Sequence, residues 1–305
     1  MWLLLALATV FFWSGSDLFS KIGCRDKSDR VGPLKMVVAV GLVMGLHAFY
    51  EIVVNGVPFS LEVLVQYLPV SALYIVSMAL GYFGLRYIEL SITSPICNTS
   101  GAIVVLLYLF MGERPDLPTS IALILVISGV FGLGLTEFTE DEEVRAARQS
   151  KSNYRYAKSF IAILIPIVYS ILDALGTFGD SLVLQRFAER GWSENMANIS
   201  YELTFLATAV VIAIYLTVTG KWNFGAKRDG AKLVGAMFET AGQFFYIFAL
   251  AKNAILAAPV MSCYCLLSVV WGRVILKERM SWKHYLSIAV AIAGIVLLGI
   301  FNPDA

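Results

Sequence analysis

Charge is what this 305-residue sequence has least of. Asp, Glu, Lys and Arg make up 15% of it, against roughly 25% in soluble domains. The 23 Lys and Arg offset 22 Asp and Glu, leaving a net charge of +1, so there is no basic excess to hold a nucleic acid. Histidine is scarcer still: His47 stands alone in an apolar run and His284 lies at a connection. With no His-Glu-x-x-His motif and no Ser or Cys set beside a His, an intramembrane enzyme has little to work with. No Gly-rich phosphate loop is present, so ATP is not the direct energy source. The four cysteines (Cys24, Cys97, Cys263, Cys265) show no ligand spacing and lie in or beside apolar segments. They are expected to be buried thiols, with no metal, disulfide or cofactor. The start, Met1-Trp2-Leu3-Leu4-Leu5, has neither a positive region nor a small-residue cleavage site, so the first segment reads as a retained span.

What is present is apolar: 58% of residues are hydrophobic, with a mean hydropathy of +0.75. A membrane span needs about 20 such residues. Ten are expected, at about 2–23, 33–55, 64–88, 91–111, 118–137, 159–185, 195–219, 230–252, 254–276 and 282–301. The third and fourth spans, and the eighth and ninth, follow each other almost without a loop and should form tight helical hairpins. An all-α integral membrane protein is the expected fold class.

The chain is also written twice. A shift of 164 residues carries Tyr82 onto Tyr246 and Pro95 onto Pro259. A shift of 165 carries Glu113-Arg114 onto Glu278-Arg279, Gly129 onto Gly294 and Gly134 onto Gly299. Five spans per copy is an odd number, so tandem copies must lie in opposite orientations, an inverted repeat of the kind transporters use. The expected division is 1–137 and 159–305 for the two repeats. The polar linker 138–158 joins them; its Thr139-Glu140-Asp141-Glu142 reads as the capping box of a short surface helix. Connections after odd-numbered spans hold seventeen Lys and Arg and those after even-numbered spans hold four. The positive-inside rule then puts both termini on the extracytoplasmic side of the cell membrane.

The tyrosine of the third span, the hairpin, Gly112-Glu113-Arg114 and Lys277-Glu278-Arg279, and the paired glycines of the last span of each half resemble the EamA family of the drug/metabolite transporter superfamily. That resemblance implies a ten-helix, two-repeat transporter. Its cavity would be shared by both halves, with the fifth and tenth spans bracing the outside. The chain departs from the family in charge placement. Family members commonly carry basic residues at the N-terminus and after the second span, whereas residues 55–66 here contain no Lys or Arg.

Charges inside spans point to a cavity, because a charge at mid-bilayer costs about 2.5–3.5 kcal/mol or more unless it meets water or a partner. A shift of 156 carries Trp13, Ser14 and Asp17 onto Tyr169, Ser170 and Asp173. Asp17 either faces the cavity or pairs with Lys21, four residues on. Asp173 has no basic residue one turn away and is expected to line the cavity, while Asp180 reads as a solvated mouth residue. In the eighth span Glu239, Gly242, Gln243 and Tyr246 form a polar stripe. Glu202 is a candidate at the outer mouth, and Arg273 should snorkel or pair near a span end. Trp13, Tyr82, Tyr169 and Tyr246 are candidate substrate-facing aromatics, suited to organic cations. Pro95 and Pro259 should kink their spans, with Asn98 and Ser262 as matching cavity donors.

An acid-rich cavity fits a cationic or zwitterionic substrate, or proton coupling through a buried carboxylate. The expected function is secondary transport of a small organic metabolite (cationic, zwitterionic or aromatic) by a monomer in the lipid bilayer, through alternating access. A passive channel and a small-solute receptor remain as alternatives.

Overall fold

The computed structural model describes residues 1–26, 28–87, 90–138, 160–276 and 281–302. The linker with its capping box and the Lys277-Glu278-Arg279 turn lie outside those residues. Among the described residues the chain is helical throughout, and ten helices are long and apolar enough to cross a membrane. Helix is what an apolar environment imposes, since only internal bonding can satisfy a backbone that has no water. The elements are α1 (Trp2–Cys24), α2 (Gly32–Val53), α3 (Leu61–Tyr87), α4 (Leu90–Cys97), α5 (Ser100–Phe110), α6 (Leu117–Phe138), α7 (Phe160–Glu189), α8 (Glu194–Val218), α9 (Ala226–Lys252), α10 (Ala254–Met261), α11 (Tyr264–Val274) and α12 (Trp282–Phe301).

The fourth span is α4 with α5 and the ninth is α10 with α11; each breaks three residues after a proline. Beyond Pro95, Thr99 N–H turns to the Ile96 carbonyl at 3.2 Å; beyond Pro259, Cys263 N–H turns to the Val260 carbonyl at 3.0 Å. In each case the proline carbonyl loses its helical partner. The Pro259 carbonyl is met by the Cys263 thiol at 3.3 Å. Both hairpins form as expected, and Asn253 caps α10 by accepting from Leu256 N–H at 3.3 Å. Gly56 and Gly220, 164 residues apart in sequence, take φ of 68° and 67° just beyond α2 and α8. They close equivalent turns with a left-handed residue where glycine costs least.

Packing repeats with the sequence. The first span of each half packs on the third span of the other, α1 on α9 as α7 on α3; α9 meets α2 as α3 meets α8. Spans 2 and 7 pair with each other across the halves, as do spans 5 and 10. Every one of these contacts maps onto another, or onto itself, when the halves are exchanged. These are ten transmembrane helices in two inverted five-helix repeats. Large side chains such as Phe11, Leu46, Phe110, Ile124, Val211 and Ile300 are exposed on the outside, as a lipid-facing surface requires.

The α6–α12 pair lies at the periphery and is closed by glycines. A Cβ on Gly129 would sit 2.7 Å from the Ser287 carbonyl oxygen, and one on Gly294 would sit 2.8 Å from that of Ala122. Backbones this close need small residues at the crossing. At the end of the bundle shared by α2, α3 and α9, buried charges lock the helices together. Lys35 Nζ reaches Asp29 Oδ2 at 2.9 Å, Lys232 Nζ reaches Asp229 Oδ1 at 2.7 Å and Asp29 Oδ2 at 3.7 Å, and Arg86 donates to the Asp29 carbonyl.

Candidate functional site

The two broken spans, together with α1, α3, α7, α8 and α9, enclose a cavity of about 920 Å³ with its mouth included. Trp13 and Asp17 reach it from α1, Tyr82 from α3, Asn98 from the α4–α5 break, Tyr169 and Asp173 from α7, and Glu239, Gln243 and Tyr246 from α9. Helical spacing explains the convergence: Asp17 lies one turn from Trp13, Asp173 one turn from Tyr169, and Gln243 one turn from Glu239.

Three carboxylates therefore share one cavity, and no Lys or Arg is among the described residues that line it. Asp17 Oδ2 accepts from Ser94 Oγ at 2.5 Å and from Ser268 Oγ at 2.8 Å. Ser100 is the polar neighbour of Asp173. Ser16 and Trp13 are the polar neighbours of Glu239, which also feels the charges of Asp17 and Asp173. All three carboxylates are only half-buried, because they open onto the cavity and not onto packed side chains. Like charges sharing one cavity of low dielectric constant repel one another.

The walls are aromatic. The Trp13 ring lies 5.0 Å from that of Tyr246 and 5.7 Å from that of Tyr264, centroid to centroid. Gly242 allows the first approach, since any Cβ there would strike the Trp13 indole. Gly81 does the same for Tyr169, whose ring would lie 3.0 Å from a Cβ. Gln243 Nε2, Tyr82 Oη and Thr93 Oγ1 are buried on this cavity without a hydrogen-bond partner in the protein. A buried polar group left unpaired costs about 1–3 kcal/mol, so donors concentrated at one cavity mark it as a place for a polar guest.

On one side the cavity ends in hydroxyls. Tyr74 and Tyr246 bond to each other, and both reach Thr177 Oγ1, at 3.2 Å and 3.3 Å. Behind them Asp180 accepts from Tyr67 Oη at 2.7 Å and from Tyr74 Oη at 3.4 Å. Asp180 is 0% exposed, so the expectation of a solvated mouth residue is wrong: tyrosines of α3 cover it.

Several other expectations also change. Lys21 turns away from Asp17 and donates to the Leu85 carbonyl at 2.7 Å. Glu202 does not line the cavity: it is 0% exposed and pairs with His47 Nδ1 at 2.8 Å and Asn198 Nδ2 at 3.1 Å. His47, read as solitary, bridges Glu202 to Glu51, whose Oε1 lies 3.7 Å from its Nε2. His284 is buried in the first turn of α12, where its ring accepts from Ser281 N–H at 3.1 Å and completes a cap. Asn98 lies on the cavity but spends its amide on the Ser94 carbonyl at 2.7 Å. Arg273 is exposed near the end of α11. Sequence reasoning missed Tyr74, Tyr201, Tyr264, Ser94 and Ser268. Tyr67 and Tyr74 do carry a signal, being seven apart on one face of α3. The two serines carry none, because their role appears only once α1 lies between the hairpins.

A family model described as the EamA-like transporter family matches residues 1–135 and 177–300. A solved structure, described only as the crystal structure of a protein, aligns with a TM-score of 0.65 over 99% of this chain and 98% of its own. Its sequence is 14% identical, so the likeness shows the fold alone. Comparison with curated proteins returned no match. The family match covers most of both halves, and the chain belongs to the EamA-like family of membrane transporters for small solutes, within the drug/metabolite transporter superfamily.

Proposed function

We propose that this chain is a secondary transporter of small organic cations or zwitterions, aromatic ones included, working by alternating access. One observation carries the reading: Asp17, Asp173 and Glu239 share an aromatic-walled cavity that no described Lys or Arg lines. An ammonium group would be held by carboxylates and by the faces of Trp13, Tyr169 and Tyr246, an arrangement worth about 2 kcal/mol or more when desolvated. Protons are the natural counter-ions, since the same carboxylates must be neutralised when the substrate leaves. Asp173 and Glu239 act as the central pair, with Asp17 as the repeat-related third acid.

The repeats 1–137 and 159–305 would be the bodies that rock, joined by the linker 138–158, in a monomer of the plasma membrane with both termini outside. A permanently open channel fits the geometry less well, because buried tyrosines and Asp180 close the path on one side. The test is a thermal-shift screen of amines, amino acids and carboxylic acids on purified protein, followed by transport in proteoliposomes across a pH gradient. Amines are expected to stabilise the protein, and Asp173→Asn is expected to remove pH-dependent transport while leaving it folded. Unchanged flux in that variant would overturn the assignment.

A further inference from the structure

Asp17 and Asp173 hold the same place in the two repeats, yet their surroundings differ. Asp17 Oδ2 takes one hydrogen bond from α4, through Ser94, and one from α11, through Ser268. The offset of 164 that carries Pro95 onto Pro259 carries Ser94 onto Ala258 and Val104 onto Ser268. Ala258 and Val104 line the same cavity. They sit on α10 and α5, which pack on α7 as α4 and α11 pack on α1. Where Asp17 has two hydroxyl donors, the equivalent places beside Asp173 are aliphatic. Ser100 is the polar neighbour of Asp173, at a position whose equivalent in the other repeat is Tyr264.

An ionised carboxylate offers about four acceptor positions. At Asp17 both hydroxyls are spent on Oδ2, so an arriving donor finds that oxygen taken and only Oδ1 open, whereas at Asp173 it meets fewer internal competitors. The two serines also come from different halves, so Asp17 ties the fourth and ninth spans to the first. We propose that Ser94 and Ser268 are positioning residues: they commit Asp17 to bracing the halves and leave ligand capture to Asp173. The two-fold fold then carries an asymmetric site. The capture half of this assignment rests on the cation reading above; the bracing half does not.

The test uses the full chain in lipid nanodiscs, labelled with a water-soluble carbodiimide and glycine ethyl ester and read residue by residue by mass spectrometry. Asp173 is expected to react about tenfold faster than Asp17, the scale set by losing one charged hydrogen bond. In Ser94→Ala with Ser268→Ala, Asp17 should approach the Asp173 rate, and Ser94→Thr with Ser268→Thr should restore protection. Ala258→Ser, a small change in volume, should slow Asp173. Equal wild-type rates, or an Asp17 rate unmoved by loss of both serines, would overturn the proposal. Phenethylamine binding supplies the second readout: Asp173→Asn should weaken it about tenfold more than Asp17→Asn does, and the reverse order would refute the assignment of capture. If the wild type binds no phenethylamine, the cation reading and capture fail together, while the labelling still decides the bracing role.

Discussion

A single residue's position around a helix separates Glu202 from its neighbour Tyr201. Tyr201 lines the cavity, and one step along α8 turns Glu202 about 100° away, into the interface with α2 where His47 meets it. Sequence gives the depth of a charge in a span but not its azimuth unless other polar residues mark the face. Glu239, Gln243 and Tyr246 mark theirs; Glu202 has nothing comparable. Glu202 is buried but the His47 side chain is 26% exposed, so removing the acid costs what unpaired hydrogen bonds cost, about 1–3 kcal/mol. Glu202→Ala should therefore lower thermal stability by that order while transport per folded molecule persists, and lost transport at unchanged stability would return Glu202 to the site. Tyr82 should behave in the opposite way. Its hydroxyl has no protein partner, so Tyr82→Phe should leave unfolding unchanged and weaken ligand binding about tenfold, the scale of one hydrogen bond; titration of the purified variant checks this.

At the scale of the element, most of the fold was legible in the sequence, because apolar length is a strong signal and the bilayer allows little besides helix. The expected span at 2–23 is α1, and that at 282–301 is α12 (Trp282–Phe301). Less visible was how far the prolines go. Pro95 and Pro259 break their spans, and the breaks let α5 cross α10 with Gly101 2.9 Å from the Pro259 Cα, measured from a Cβ built on the glycine. Nor did the sequence show that Asp29, Lys35, Asp229 and Lys232 would meet, since their partners lie on separate elements. Gly129 and Gly294 bring α6 and α12 together at their crossing, and the geometry gives the reason. Gly294→Val would force side-chain atoms into the Ala122 carbonyl and the Val126 backbone, an overpacking cost of about 1–3 kcal/mol. Thermal unfolding should register it, and ligand affinity should stay within twofold because the cavity lies elsewhere.

For the whole molecule, duplication sets the plan and divergence sets the chemistry. The contacts obey exchange of the halves, and so do Trp13 with Tyr169, Asp17 with Asp173, and Tyr82 with Tyr246. Glu239 breaks the symmetry, since the offset of 164 places Ile75 at its counterpart; so do the serines around Asp17. Internal comparison of the repeats could find the shared acid pair but not the contacts that distinguish its members. The positive-inside count includes Arg86 and Lys232, both spent on the buried Asp29–Asp229 cluster, yet the excess on that side survives their removal. Single cysteines placed beside Met1 and beside Asn302 should therefore react with an impermeant maleimide from outside intact cells. Labelling only after permeabilisation would reverse the orientation.

Counterflow in proteoliposomes tests the central claim most directly. Vesicles loaded with unlabelled phenethylamine and diluted into a trace of labelled phenethylamine should accumulate label above equilibrium and then lose it, as a carrier with a saturable, alternately exposed site must. The Asp173→Asn protein should show no such overshoot. A monotonic leak to equilibrium in the wild type, or an overshoot untouched by Asp173→Asn, would contradict a transporter organised around these carboxylates.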